Sequence, residues 1–524
     1  MLLYVLLVTT LEVVEGEIVT IGEQRIDELP VDQLPPQALV ACMGAQACKR
    51  VCSALDGTMS ALSQLEGALP YEYDCNTLAP ESEIVMPDVF RRELAEAVSM
   101  PNLTFLGVEA TALEAEAYLI YLHKHQEKFE SYTKSLLLGA SLPRTAADLA
   151  AEEWRTDEYT SPYAEKLASL TEDEQAEASS FHALLRGFHD LAMLKKHGLL
   201  FDASMEAIIE KAAAEISVGH HIKLSSEPGV AKSSLAKYLG NLNARAHHPD
   251  WTDEQCEHIL ISMHSTKEAE AQVSEQTFED NTLGERLSFI AIAMQKGRAI
   301  VLDEQNGMTA DQQVFFNDML LKKPGETVRV GDTMITIKPG FTVIATINPL
   351  TDTQGNRRHG RQQEDSASSA RYTRIDMKYP GQKAYIGNPK ETLNRLFYSQ
   401  YVDMYGWHLP TAEVIKTLDN CQEYLTKLAK MATEAPADGT NTGVLITAQT
   451  RPELAECISP RDFVRILEST MLPTDLKSLP NKLRKAITVK TNQILESDNG
   501  HYVTPAAKQA VNQLLRTNGF TPYA

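Results

Sequence analysis

At 524 residues the chain is too long for one ordinary domain and is expected to divide into about two to four. With 43% hydrophobic and 23% charged residues, it has the make-up of a globular protein that buries real cores. A formal net charge of −22 argues against a surface built to hold nucleic acid or anionic membrane.

Residues 1–8 are apolar but lack a basic flank, and Glu12 and Glu15 end the run well short of a membrane span. Residues 11–14 and 18–21, broken by Glu15-Gly16-Glu17, read as two short strands and a turn. Cys42, Cys48, Cys52 and Cys75 could supply a zinc site or, with Cys48 and Cys52 four apart, buried thiols on a helix. Seven cysteines with no C-x-x-C spacing fit a reducing, cytoplasmic setting.

After the Pro-rich stretch 29–36 the pattern turns helical, with clear segments at 109–137 and 178–196. Residues 147–175 are acidic and carry Ser161-Pro162, which suits a linker or a solvated helix face. From about Ser204 to Tyr379, short apolar runs alternate with helical patterns, the signature of a parallel α/β sheet. Strands are expected at 221–224, 299–302 and 341–347, with a hairpin at 328–330 and 334–337 turning at Gly331-Asp332. A helix is expected from about Ser233, and Leu283, Leu287, Ile290 and Met294 recur at helical spacing. Beyond Pro380 the chain returns to helices.

Ser226-Glu227-Pro228-Gly229-Val230-Ala231-Lys232-Ser233 lies between an expected strand and an expected helix, where a phosphate-binding loop must sit. Its backbone amides would wrap phosphates, Lys232 would neutralise their charge, and Ser233 would bind Mg2+. Ser226 and Ala231 replace the two glycines of the full G-x-x-x-x-G-K-[ST] pattern. The candidate nucleotide contacts are Glu227, Pro228, Gly229, Val230, Ala231, Lys232, Ser233 and Ser234.

Some seventy residues on, the apolar run 299–302 ends in Asp303 and Glu304. An acid at a strand's C-terminal end can hold Mg2+ (Asp303), and its neighbour can polarise a water (Glu304). Asn348 closes the third apolar run, and Pro349 keeps that strand from continuing.

In this order the three motifs resemble the MoxR and dynein/midasin-related branch of AAA+ ATPases. The likeness covers roughly 204–470. It includes Gly284, Leu287, Asn306, the hairpin at 326–337, Ala370-Arg371-Tyr372-Thr373-Arg374-Ile375 and Ser459-Pro460-Arg461-Asp462. It implies an α/β P-loop AAA+ core (196–385), a C-terminal helical lid with further helices (386–524), and a mostly helical N-terminal region (1–195). It implies ATP and Mg2+ as ligands, Asn348 as a γ-phosphate sensor, Arg371 or Arg374 as an arginine finger, and Arg461 as a second sensor. Ser459 should cap the helix carrying Arg461, with Pro460 at its first position.

The implied assembly is a homo-oligomer, a hexameric ring acting on a protein client. A von Willebrand A-type partner would be a separate chain, because no D-x-S-x-S motif occurs here. Two alternatives stay open: a nucleotide-gated scaffold with little hydrolysis, suggested by Ser226 and Ala231, and a DNA-directed motor, which the net charge disfavours. Asn356-Arg357-Arg358-His359-Gly360-Arg361 is more basic than the family's usual link. His220, His221, His247 and His248 pair beside the loop and read as solvated histidines.

Overall fold

The computed structural model describes residues 12–14, 17–20, 106–139, 154–262, 274–279, 282–287, 289–307, 320–330, 333–348, 369–431, 457–472, 476–496 and 505–521. The cluster Cys42, Cys48, Cys52 and Cys75 and the basic stretch 356–361 lie outside them. Strands β1 (Glu12–Val14) and β2 (Glu17–Thr20) pair antiparallel, close to the two strands expected there. Helices α1 (Val108–Leu137), α2 (Ala164–Ala168), α3 (Glu172–His197) and α4 (Ala203–Ser217) follow. Thr171 starts α3 with a capping box, Gly198 ends it in the left-handed conformation, and Asp202 caps α4.

The α/β part then runs β3 (His221–Ser225), α5 (Lys232–His247), α6 (Asp253–Cys256), β4 (Ile259–Ser262), β5 (Ser274–Glu279), β6 (Thr282–Leu287), α7 (Phe289–Lys296) and β7 (Ala299–Asp303). It closes with β8 (Thr327–Val330), β9 (Thr333–Thr336), β10 (Thr342–Ile347) and β11 (Tyr372–Asp376). Five of these strands form one parallel sheet in the order β11-β3-β10-β7-β4. Residues of β3 and β10 are buried throughout, which is why their apolar runs do not alternate.

The two faces of the sheet carry separate cores. On one, Ile222, Leu224, Val301, Ile344 and Ile375 pack with Leu235 and Leu239 of α5, Ile209 of α4 and Phe129 of α1. On the other, Ile300, Leu302, Val343 and Ala345 pack with Ala291 and Met294 of α7 and with Ile335 and Ile337 near β9. Each fully buried Leu or Ile contributes about 1.5–3 kcal/mol, so both layers hold the strand register firmly.

One element differs from expectation. Only 289–296 is helix; Leu283 and Leu287 lie on β6, which pairs antiparallel with β5. A spacing of four fits both periods, because residues i and i+4 share a face in a strand as well as in a helix.

Beyond the sheet run α8 (Pro389–Tyr405), α9 (Ala412–Met431), α10 (Pro460–Thr470), α11 (Leu479–Glu496) and α12 (Pro505–Thr517). They share one core with α3, in which Phe181, Leu184 and Phe188 meet Phe397, Tyr401 and Trp407. Gly187 lets α3 approach α8 closely: a Cβ there would lie 2.8 Å from the Tyr398 carbonyl oxygen. The buried guanidinium of Arg395 grips Asp190 through two bonds of 2.9 and 2.6 Å, and Lys195 Nζ reaches Asp403 Oδ1 at 2.8 Å. No helix among the described residues is long and apolar enough to cross a membrane.

Candidate functional site

All five sheet strands run the same way, so the residues that follow β3, β7 and β10 gather along one edge. After β3 the chain makes a tight loop into α5. Gly229 (φ 96°) and Ala231 (φ 61°, ψ 29°) are both left-handed there. For alanine that conformation costs about 1–2 kcal/mol, which the surrounding packing must offset. Ala231 is also the N-cap of α5 and provides no capping side chain.

Three of the positions flagged along the loop have their own anchors. Val230 is buried in the core against α5, and the Pro228 carbonyl accepts the hydroxyl of Tyr379. The Ser234 hydroxyl packs beside Gly198, where a Cβ would lie 2.7 Å from it, and so faces the end of α3. Lys232 is buried, and its ammonium donates to Ser226 O (2.8 Å), Ser226 Oγ (3.0 Å) and Glu227 O (3.0 Å).

Strand β10 separates β3 from β7, which puts the lysine strand and the acid strand roughly 9–10 Å apart. The first turn of α5 spans that gap. Ser233 Oγ donates to Asp303 Oδ1 at 2.7 Å, and Thr346 Oγ1 of β10 donates to the same oxygen at 2.6 Å. Glu304 turns left-handed (φ 56°) as the chain leaves β7, and its N–H donates to Thr346 Oγ1 at 3.0 Å. Its carboxylate receives Asn348 Nδ2 at 3.4 Å, the long end of a hydrogen bond. Asn306 Nδ2 donates to the Asn348 carbonyl at 2.6 Å, fixing the end of β10 against the turn after β7.

Two of the three non-glycine residues with positive φ among the described residues, Ala231 and Glu304, therefore lie at this edge. Backbone strain of this kind concentrates where geometry serves a function.

The arginines separate. The N-terminus of α10 sits directly on the loop: a Cβ at Gly229 would meet Ser459 Oγ at 2.8 Å and Arg461 Cβ at 3.2 Å. Ser459 caps α10 in a capping box with Asp462, and Pro460 occupies its first turn, as the sequence suggests. Burial would raise the Asp462 carboxyl, but bonds from Ser459 and the Lys490 ammonium hold it below the usual range. Arg374 bonds Asp376 Oδ1 (2.9 Å) and Ser225 Oγ (3.0 Å), which ties it to the end of β3 beside its own loop. Arg371 precedes β11, at the opposite edge of the sheet, roughly 16 Å away along the strand.

The histidine pairs serve the scaffold. His220 Nδ1 contacts Glu215 at 2.8 Å, and His248 stacks on Trp251 with centroids 3.8 Å apart. His221 is buried rather than solvated; its Nδ1 accepts the Val343 N–H at 3.1 Å, and burial pushes the ring down to about 4.

Sequence reasoning gave no role to Thr346, Tyr379 or the Gln305 Nε2–Tyr372 hydroxyl bond of 3.0 Å. Thr346 alone carried a readable signal, because it lies two residues before Asn348 and shares its strand face. No protein-family model matches the chain, and no curated protein matches it.

Proposed function

We propose that this is a P-loop ATPase of the AAA+ class, of the MoxR and dynein/midasin-related branch, acting as a ring on a protein client. The observation that carries the reading is the 2.7 Å bond between Ser233 of the lysine loop and Asp303 of the acid strand. Two segments seventy residues apart thereby bring a hydroxyl, a carboxylate and an ammonium to one sheet edge, where parallel sheets bind ligands.

The donor set suits Mg2+, which takes oxygen ligands and needs only one or two from the protein when phosphates supply others. Mg2+, when bound, offsets charge on the phosphate oxygens. Lys232, whose ammonium donates to three loop acceptors, would turn it to phosphate oxygens when nucleotide is bound. The Glu304 carboxylate orients a water and accepts its proton, with Asn348 holding that carboxylate from the side. Arg461, carried on α10 against Gly229, suits a charge sensor in the same subunit. Arg374 bonds Asp376 and Ser225 at the end of β3, whereas Arg371 lies at the far edge of the sheet, away from its own subunit's loop, as a residue entering a neighbour's site would.

Phosphate release with and without Mg2+ tests this directly. Wild-type turnover should fall at least about 100-fold in Glu304→Gln while ATP binding persists. Calorimetry showing no uptake of adenine nucleotide would sink the proposal.

One feature favours a second reading, a nucleotide-gated scaffold. The loop closes on its own lysine, using Ser226 where a glycine would offer no hydroxyl. Tight ATP binding with no phosphate release in the wild-type chain selects it.

A further inference from the structure

Thr346 sits between the two acids of the candidate site and touches both. A threonine hydroxyl has one proton and two lone pairs. Here the proton goes to Asp303 Oδ1 at 2.6 Å, so a lone pair is left for the Glu304 N–H at 3.0 Å. The polarity is fixed by its partners, since the Glu304 amide can only donate. Thr346 is 1% exposed and belongs to a strand buried along its whole length, so the position of its hydroxyl is set by the sheet.

Glu304 needs such a tether. Its left-handed backbone (φ 56°) turns the chain sharply out of β7, and the direction of its carboxylate follows from that peptide. Three hydroxyl and amide contacts thus form a continuous chain: Ser233 to Asp303, Thr346 to Asp303, and Glu304 to Thr346.

We infer that Thr346 is a positioning residue, locking the Glu304 peptide to the Asp303 carboxylate so that the metal-holding and water-orienting acids keep one fixed separation. The inference rests on the ATPase reading and extends it to a residue outside the ligand contacts. A side chain that holds the base without touching nucleotide should govern kcat and leave binding nearly unchanged.

The test uses full-length chains with Thr346→Val, which keeps shape but loses both bonds, and Thr346→Ser, which keeps the hydroxyl. ATP affinity is read by calorimetry, and kcat and KM by phosphate release with Mg2+. Thr346→Val should lose roughly 10- to 100-fold in kcat with KM and Kd within about threefold, and Thr346→Ser should recover to within about threefold of wild type. If thermal melting shows that Thr346→Val does not fold, Thr346→Ala is read against Thr346→Ser in the same way. Equal activity in the Val and Ser variants, or a loss lying in KM alone, overturns the role while leaving the ATPase reading intact. A wild-type chain without turnover overturns both.

Discussion

Substituting Gly229 by alanine probes the contact between the loop and α10. Two costs can be read from the structure. At φ 96° a residue with a Cβ is strained by about 1–2 kcal/mol. The new Cβ would also lie 2.8 Å from Ser459 Oγ and 3.1 Å from Ser459 Cβ. That hydroxyl cannot swing aside freely, because it donates to Asp462 Oδ2 at 2.7 Å and accepts the Asp462 N–H at 3.1 Å. Breaking a cap of this type costs about 1 kcal/mol. Gly229→Ala should therefore destabilise the protein by about 2–3 kcal/mol and weaken ATP binding at least about tenfold as the N-terminus of α10 is displaced. Ser459→Gly removes the two nearest obstructing atoms, leaving Arg461 Cβ at 3.2 Å, and as a cap costs only a few tenths of a kcal/mol. In a double-mutant cycle read by urea unfolding and by ATP calorimetry, Ser459→Gly should return about 1 kcal/mol to Gly229→Ala. Coupling within about 0.3 kcal/mol of zero would refute the proposed contact.

Arg395→Met leaves the buried Asp190 carboxylate without its guanidinium and should cost about 3–5 kcal/mol. Adding Asp190→Leu should restore most of it, with Trp407, which packs on Phe188 at 4.4 Å, as a local fluorescence reporter. Burial holds His123 and His221 down to about 4 and His197 down to about 3, so these rings stay neutral in the fold. Because the unfolded chain binds their protons first, stability should fall as pH drops from about 6.5 toward 4. Glu206, pushed by burial up to about 7, opposes this, and Glu206→Gln should steepen the decline in urea midpoints over the same range.

Three of the five sheet strands, β3, β7 and β10, were legible as short runs closed by turn residues or acids, and β10, for example, ends before Asn348-Pro349; β4 and β11 were not anticipated. Their order was not, since nothing local in β10 says that it inserts between β3 and β7. Lys232, Ser233, Asp303, Glu304 and Asn348 could be flagged from their place after strands, yet the bonds from Ser233 to Asp303 and from Asn348 to Glu304 arise only from that insertion. The segment from Leu283 misled because its spacing of four suits either period, and the pairing with β5 decides it. The approach of α10 to Gly229 was anticipated only through the resemblance that makes Arg461 a second sensor; no local pattern marks a contact spanning more than two hundred residues.

The seam between α3 and α8 has a practical consequence. A fragment begun at residue 196 to isolate the sheet would strip the cover from Phe397 and Tyr401 and leave Arg395 facing an apolar trough without its counter-ion. Such a fragment is a poor starting point for biochemistry. One that retains the whole of α3 keeps the trough sealed.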